Sequence, residues 1–139
     1  MSCGLSLWAV PRNYKEIISK YNMKHIPHIT IETNLKNPSY STDIGNIVNV
    51  EYNKGLIKMK NVYNVPDILE ISGYTCRLYG LNNTPKHHLH MSIFYDWDGD
   101  NYGIWPDPPD SSICDIVRAD TTSMNPEDWC IWSYNNSKI

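Results

Sequence analysis

Two short stretches constrain this chain more than anything else in it: His28-Ile29-Thr30-Ile31 and His90-Met91-Ser92-Ile93. Each runs histidine, apolar residue, hydroxyl residue, isoleucine. Successive side chains on a β-strand point to opposite faces, so each stretch reads as a strand with one polar and one apolar face. Ile29, Ile31, Met91 and Ile93 are expected to anchor these strands in a core. The two histidines and two hydroxyls are then free to face a shared cleft. A single histidine on a strand is usually a hydrogen-bonded core imidazole; the matched pair is what points to chemistry.

The rest of the chain supplies a frame for them. Its 139 residues suit one domain, 1–139, large enough for a core. Leu5 to Val10 reads as a first strand, ended by Pro11. Tyr14, Ile17, Ile18 and Tyr21 fall on one face of a helix from about Pro11 to Asn22. Pro27 holds Ile26 extended, so the chain enters the His28 strand already straight. Strands are expected over Ile44 to Glu51 and Gly55 to Tyr63, joined by a hairpin turn at Asn53-Lys54-Gly55. A turn or short helix is expected from Asn64 to Ile71, then strands over Thr75 to Leu81, His88 to Tyr95 and Ile113 to Ala119. Trp129 to Trp132 adds a short strand. Asn34 to Thr42 and Asp96 to Ser112 read as loops, the second long enough to form a lid or rim.

Charge and composition narrow the partners. A net charge of −3 argues against a large duplex-DNA footprint, while a small phosphorylated ligand needs only a few local donors. No run of about 18 apolar residues exists, so no membrane span is expected. Cys3, Cys76, Cys114 and Cys130 show no zinc-like spacing, and Met1-Ser2-Cys3-Gly4 carries no basic leader. A reducing cytoplasm is the expected location. The bias towards Asn, Ile, Lys and Tyr is that of an AT-rich genome, such as a viral one; the location would then be the host cytoplasm.

A metallic alternative also has residues to draw on. His25-x-x-His28 and His87-His88-x-His90 offer paired imidazoles of the kind a cupin-like barrel uses. A cupin also wants a glutamate a few residues on and a later histidine, and this chain has neither. His87 and His88 are instead expected at the cleft mouth or in solvent. Asp96, Asp98, Asp100 and Gly99 lack the closing glutamate of a calcium loop. No metal or other cofactor is therefore expected.

The opening Ser6-Leu7-Trp8-Ala9-Val10-Pro11, one amphipathic helix, then Pro27-His28-Ile29-Thr30-Ile31, resembles the start of the 2H phosphoesterases, especially their small cyclic-phosphodiesterase branch. His90-Met91-Ser92-Ile93 resembles the family's second H-x-[ST]-φ motif. A late strand, Ile116 to Asp120, followed by Trp129, is similar as well. The chain is shorter than many members and shows no clear second-lobe helix. The resemblance implies an α+β, bilobal fold, with two antiparallel sheets around a central cleft and a helix packed on the first. It implies a metal-independent phosphodiesterase, with His28 and His90 as the base and acid, in an order the sequence leaves open, and Thr30 and Ser92 as donors to phosphate. Substrates would be small ribonucleotides: a cyclic dinucleotide such as cyclic GMP-AMP, a 2′-5′ oligonucleotide, or a nucleoside cyclic phosphate. In a viral setting, destroying a host signalling nucleotide would serve immune evasion.

Two histidines with pKa near 6.5 can deprotonate a nucleophile and protonate a leaving oxygen without a metal. Trp8, Tyr95, Trp105, Trp129 and Trp132 are candidates to stack on a base, and Lys86 and Arg118 to offset phosphate charge. Core or rim packing for the aromatics, and a solvated surface for the cations, are the plainer alternatives. A non-catalytic nucleotide-binding or interaction module on the same fold also fits the sequence.

Overall fold

The computed structural model describes residues 5–35, 43–53, 57–60, 70–83, 85, 87–96, 107–123 and 125–132. In order come β1 (Leu5–Pro11), α1 (Tyr14–Tyr21), β2 (Ile29–Leu35), β3 (Ile47–Tyr52), β4 (Ile57–Lys60), β5 (Glu70–Tyr79), β6 (His90–Asp96), β7 (Ser112–Asp120) and β8 (Cys130–Trp132). A 3₁₀ turn over Pro126–Asp128 precedes β8. The helix ends at Asn22, which takes a left-handed conformation and donates its backbone N–H to the carbonyl of Ile18. Asparagine tolerates that conformation better than most residues.

The class is α+β, but two open sheets facing across a cleft are not what forms. Strands β1, β2, β6, β5, β3 and β7 pair antiparallel in that order, and β7 returns to β1 through seven consecutive partners, Leu5↔Asp120 to Pro11↔Cys114. The result is one closed six-stranded barrel, with β4 beside β5 and β8 beside β7. Alternation within a strand shows which face is buried but not which edges meet. Here both edges of β1 are taken, by β2 and β7, and that closes the ring.

Two corrections follow from the same limit. The β3–β4 hairpin is not formed among the described residues: β3 and β4 each pair with β5, at Cys76–Tyr79 and Glu70–Gly73 respectively. Lys54 and Gly55 of that turn lie outside the described residues. β5 also begins at Glu70, where a turn or short helix was expected. The loop residues 36–42 and 97–106 lie outside the described residues.

One face of the strands fills the barrel. Leu7 and Ala9 of β1, Ile29 and Ile31 of β2, Val48 and Val50 of β3, Tyr74 of β5, Met91 and Ile93 of β6, and Cys114 and Ile116 of β7 form one buried cluster. Ile17 and Tyr21 of α1 join it. All four apolar residues of the two histidine stretches thus sit in the core, each worth about 1.5–3 kcal/mol of burial. A second, smaller cluster holds Trp8, Val10, Ala119, Trp129 and Ile131. Trp8 and Val10 alternate with Leu7 and Ala9, so this cluster lies on the outer face of the wall.

Candidate functional site

The two histidine stretches meet where the barrel wall is thinnest in hydrogen bonds. β2 and β6 are joined through one pair, Ile29↔Met91. Carrying that antiparallel register one residue each way sets His28 opposite Ser92 and Thr30 opposite His90. Ile29 and Met91 point into the barrel, so these four side chains share the outer face. They repeat under a half-turn: each histidine faces the other stretch's hydroxyl residue. On either side the row continues, with Trp8 of β1 opposite Thr30 and Thr75 of β5 opposite His90.

His28 is the deeper histidine, at 4% exposure. The indole of Trp8 stacks on its ring, with centroids 3.7 Å apart and planes 11° from parallel. Trp129 meets the imidazole edge-on at 5.9 Å. The Nδ1–H of His28 donates to the carbonyl of Ile26 at 2.7 Å, which leaves the lone pair on Nε2. Burial pulls its pKa down to about 3; the field of nearby His25 acts the same way, the Ile26 carbonyl opposes both, and His90 adds a smaller downward push. His90 is half-buried, and its pKa is lowered by burial, against the opposing pull of a hydrogen bond to the carbonyl of His88. His28 thus gives a ring proton to the carbonyl two residues before it.

The half-turn extends one step further than the sequence motif. His25 Nε2 donates to the carbonyl of Ser92 at 2.8 Å. His87 Nε2 donates to the carbonyl of Thr30 at 2.9 Å. Each of these histidines stands three residues before its motif histidine and bonds the hydroxyl residue of the other stretch. His25 is buried, and that burial lowers its pKa to about 4. The exposed His87 is thus tied to β2 rather than simply solvated.

The remaining candidates fall in several places. Trp8 and Trp129 are 1% and 5% exposed, so neither presents an open face to a base. Trp129 donates its indole N–H to the carbonyl of Ser123 at 2.7 Å, whereas the indole nitrogen of Trp8 has no partner among the described residues. Arg118 is opposite Leu7, so alternation turns it away from Trp8, Thr30 and the histidines. Tyr95 belongs to β6 opposite Ile71, and Trp132 to β8 opposite Arg118; their side chains lie outside the described set. Lys86 and Trp105 lie outside the described residues altogether.

The sequence reading did not single out the groove beside the second motif. It measures about 730 Å³ and is lined by Thr75, Arg77, Tyr79, His87 and His88, among others. Arg77 is exposed, and Tyr79 is 49% exposed. Thr75, Arg77 and Tyr79 alternate along β5 on the face that carries His90. Nothing in their own composition marks them; only the β5–β6 pairing does. His25 and His87 do carry a signal, their shared spacing before His28 and His90, which the sequence alone offers only as the metal alternative set aside above. Among the described residues, no three His, Cys, Asp or Glu side chains are grouped to hold a metal ion.

Compared with known proteins, the chain matches no family model, no curated protein and no solved structure.

Proposed function

We propose that the protein is a two-histidine phosphodiesterase of the 2H type, acting on a small ribonucleotide phosphodiester without a metal. One observation carries this reading: the Ile29↔Met91 register, which sets His28, Ser92, Thr30 and His90 together on one face as two pairs related by a half-turn. Phosphodiester cleavage needs proton removal on one side of phosphorus and proton delivery on the other. His28 is the base: its Nδ1–H is committed to Ile26, and burial keeps Nε2 unprotonated at neutral pH. A bound phosphodiester monoanion would raise its basicity by favouring the imidazolium. His90, more open to solvent, is the acid: bound phosphate favours its imidazolium against the lowering by burial, and it protonates the leaving oxygen. Thr30 and Ser92 hydroxyls donate to the non-bridging oxygens as charge builds there. Water attacks a cyclic phosphate; in a linear linkage a neighbouring ribose hydroxyl attacks and leaves a cyclic product. The rest of the nucleotide extends into the groove beside His90, where Arg77 supplies a cation and Tyr79 an aromatic face.

The test is turnover of cyclic GMP-AMP, a 2′-5′ adenylate dimer and a nucleoside 2′,3′-cyclic phosphate, with EDTA present. The wild type is expected to cleave at least one of them. His28→Ala and His90→Ala are each expected to lower kcat by about 10²–10⁴. A wild type inert towards all three sinks the reading. One observation favours a second reading, a nucleotide-binding module without catalysis: His28 is 4% exposed beneath Trp8. Binding of the same nucleotides without turnover, unchanged by His90→Ala, would be its signature.

A further inference from the structure

We infer that His25 and His87 are positioning residues, each holding the hydroxyl residue of the opposite motif: His25 holds Ser92, and His87 holds Thr30. The consequence for turnover rests on the phosphodiesterase reading above; the crossed contact itself does not. The repeat in the chain is then seven residues long, histidine-x-x-histidine-apolar-hydroxyl-isoleucine, at 25–31 and again at 87–93.

Three observations carry this. First, both bonds cross from one stretch to the other, His25 Nε2 to the Ser92 carbonyl and His87 Nε2 to the Thr30 carbonyl, at 2.8 and 2.9 Å. A histidine that served only its own segment would have no reason to reach the equivalent atom of the other stretch. Second, the backbone ladder between β2 and β6 consists of the single pair Ile29↔Met91. The two imidazoles attach the strands on either side of it, at Thr30 and Ser92, where ladder bonds would otherwise run. Third, the donor suits the task. An imidazole N–H facing a carbonyl donates whether the ring is neutral or charged, so the strap survives any change in protonation at the site.

What the straps fix is the peptide plane at each hydroxyl residue, and with it the direction of the Thr30 and Ser92 side chains. A donor displaced by about 1 Å from a developing charge can lose up to a hundredfold in rate. The straps also bear on where His28 stands relative to the second stretch, because His28 is tied to its own segment by the Ile26 carbonyl.

The experiment compares His87→Leu and His87→Gln, and in parallel His25→Leu and His25→Gln, in the full chain. Glutamine can place an amide N–H near the position of Nε2; leucine cannot donate. The first readout is the backbone carbonyl ¹³C shift of Thr30 and Ser92. His87→Leu is expected to move Thr30 and leave Ser92 in place, and His25→Leu the reverse, with both glutamine variants close to wild type. The second readout is kcat and KM on whichever probe the wild type cleaves. His87→Leu is expected to lower kcat by about tenfold to a hundredfold with KM little changed, and glutamine to restore it. Combined with Thr30→Val, His87→Leu adds no further loss; combined with Ser92→Ala, the losses multiply. The inference is overturned if His87→Leu leaves the Thr30 carbonyl unmoved, or couples to Ser92 instead of Thr30. Should His25→Leu fail to fold, the exposed His87 pair decides alone. Crossed shifts in a chain that cleaves no probe would uphold the straps and overturn the phosphodiesterase reading.

Discussion

At the scale of single residues, the imidazoles tie the site to pH. His25 and His28 have folded pKa values of about 4 and about 3, and that of His90 is also lowered, against an ordinary value of 6.5. Between 6.5 and those values the unfolded chain binds protons that the folded one does not, so stability falls as pH falls. The contribution is complete above 6.5 and is lost downward through the range, at up to about 1.4 kcal/mol per pH unit for each histidine. Urea unfolding midpoints are expected to drop between pH 7 and pH 5, above the range where ordinary carboxylates titrate, and His25→Gln should flatten the slope. A midpoint that is level or rises on acidification would contradict this. The candidate site side chains were legible in the sequence because alternation alone puts His28 with Thr30 and His90 with Ser92. The depth of His28 was not. It depends on Trp8, which comes to lie diagonal to it because β1 pairs Trp8 with Thr30 after two register shifts.

At the scale of the strand, β5 shows how local signals mislead. Gly73 looks like a place where a strand should stop, and a turn or short helix was expected to reach Ile71. Instead β5 runs straight through, from Glu70 to Tyr79. A Cβ on Gly73 would stand 2.1 Å from the carbonyl oxygen of Met91 and 3.0 Å from the Cα of Ser92. The glycine is there for the close approach of β6, at a bulge between Ser72 and Gly73. Gly73→Ala is therefore expected to push β6 outward and cost about 1–3 kcal/mol. Thermal unfolding should show the loss, and amide shifts at Met91 and Ser92 should move most. An alanine variant as stable as wild type would mean that β6 has slack to give. The helix, by contrast, was readable: Ile17 and Tyr21 bury as their spacing requires, and Asn22 ends it.

At the scale of the whole molecule, the ring is unevenly closed. β1 and β7 share seven partners, whereas β2 and β6 share one. Hydrogen exchange is expected to be slowest for amides between β1 and β7 and fastest for the β2 amides facing β6, with His87→Leu accelerating the latter. Uniform protection around the ring would show the join to be as firm as the rest. Closure was the part least legible in the sequence. β3 alternates exposed and buried residues along its length, yet the β1–β7 pairing links residues more than a hundred positions apart, and no local pattern encodes such a partner.

The half-turn that relates the two stretches bears on the direction in which a substrate lies. A phosphodiester has a polarity, with a different ribose carbon on each side of phosphorus; the paired histidines and hydroxyls have none. On the proposed reading, and left to those four groups, a nucleoside 2′,3′-cyclic phosphate would sit equally well either way round, and either ribose oxygen could leave. The asymmetry lies outside them, in the indoles over His28 and the open groove beside His90. For the proposed phosphodiesterase, orientation, and so the oxygen that keeps the phosphate, would be written in the cover of the site rather than in its chemistry. If the protein is the proposed phosphodiesterase, a Trp8→Leu variant that still folds should open a nucleoside 2′,3′-cyclic phosphate to a mixture of 2′- and 3′-phosphates where the wild type yields one, a difference that product chromatography would resolve.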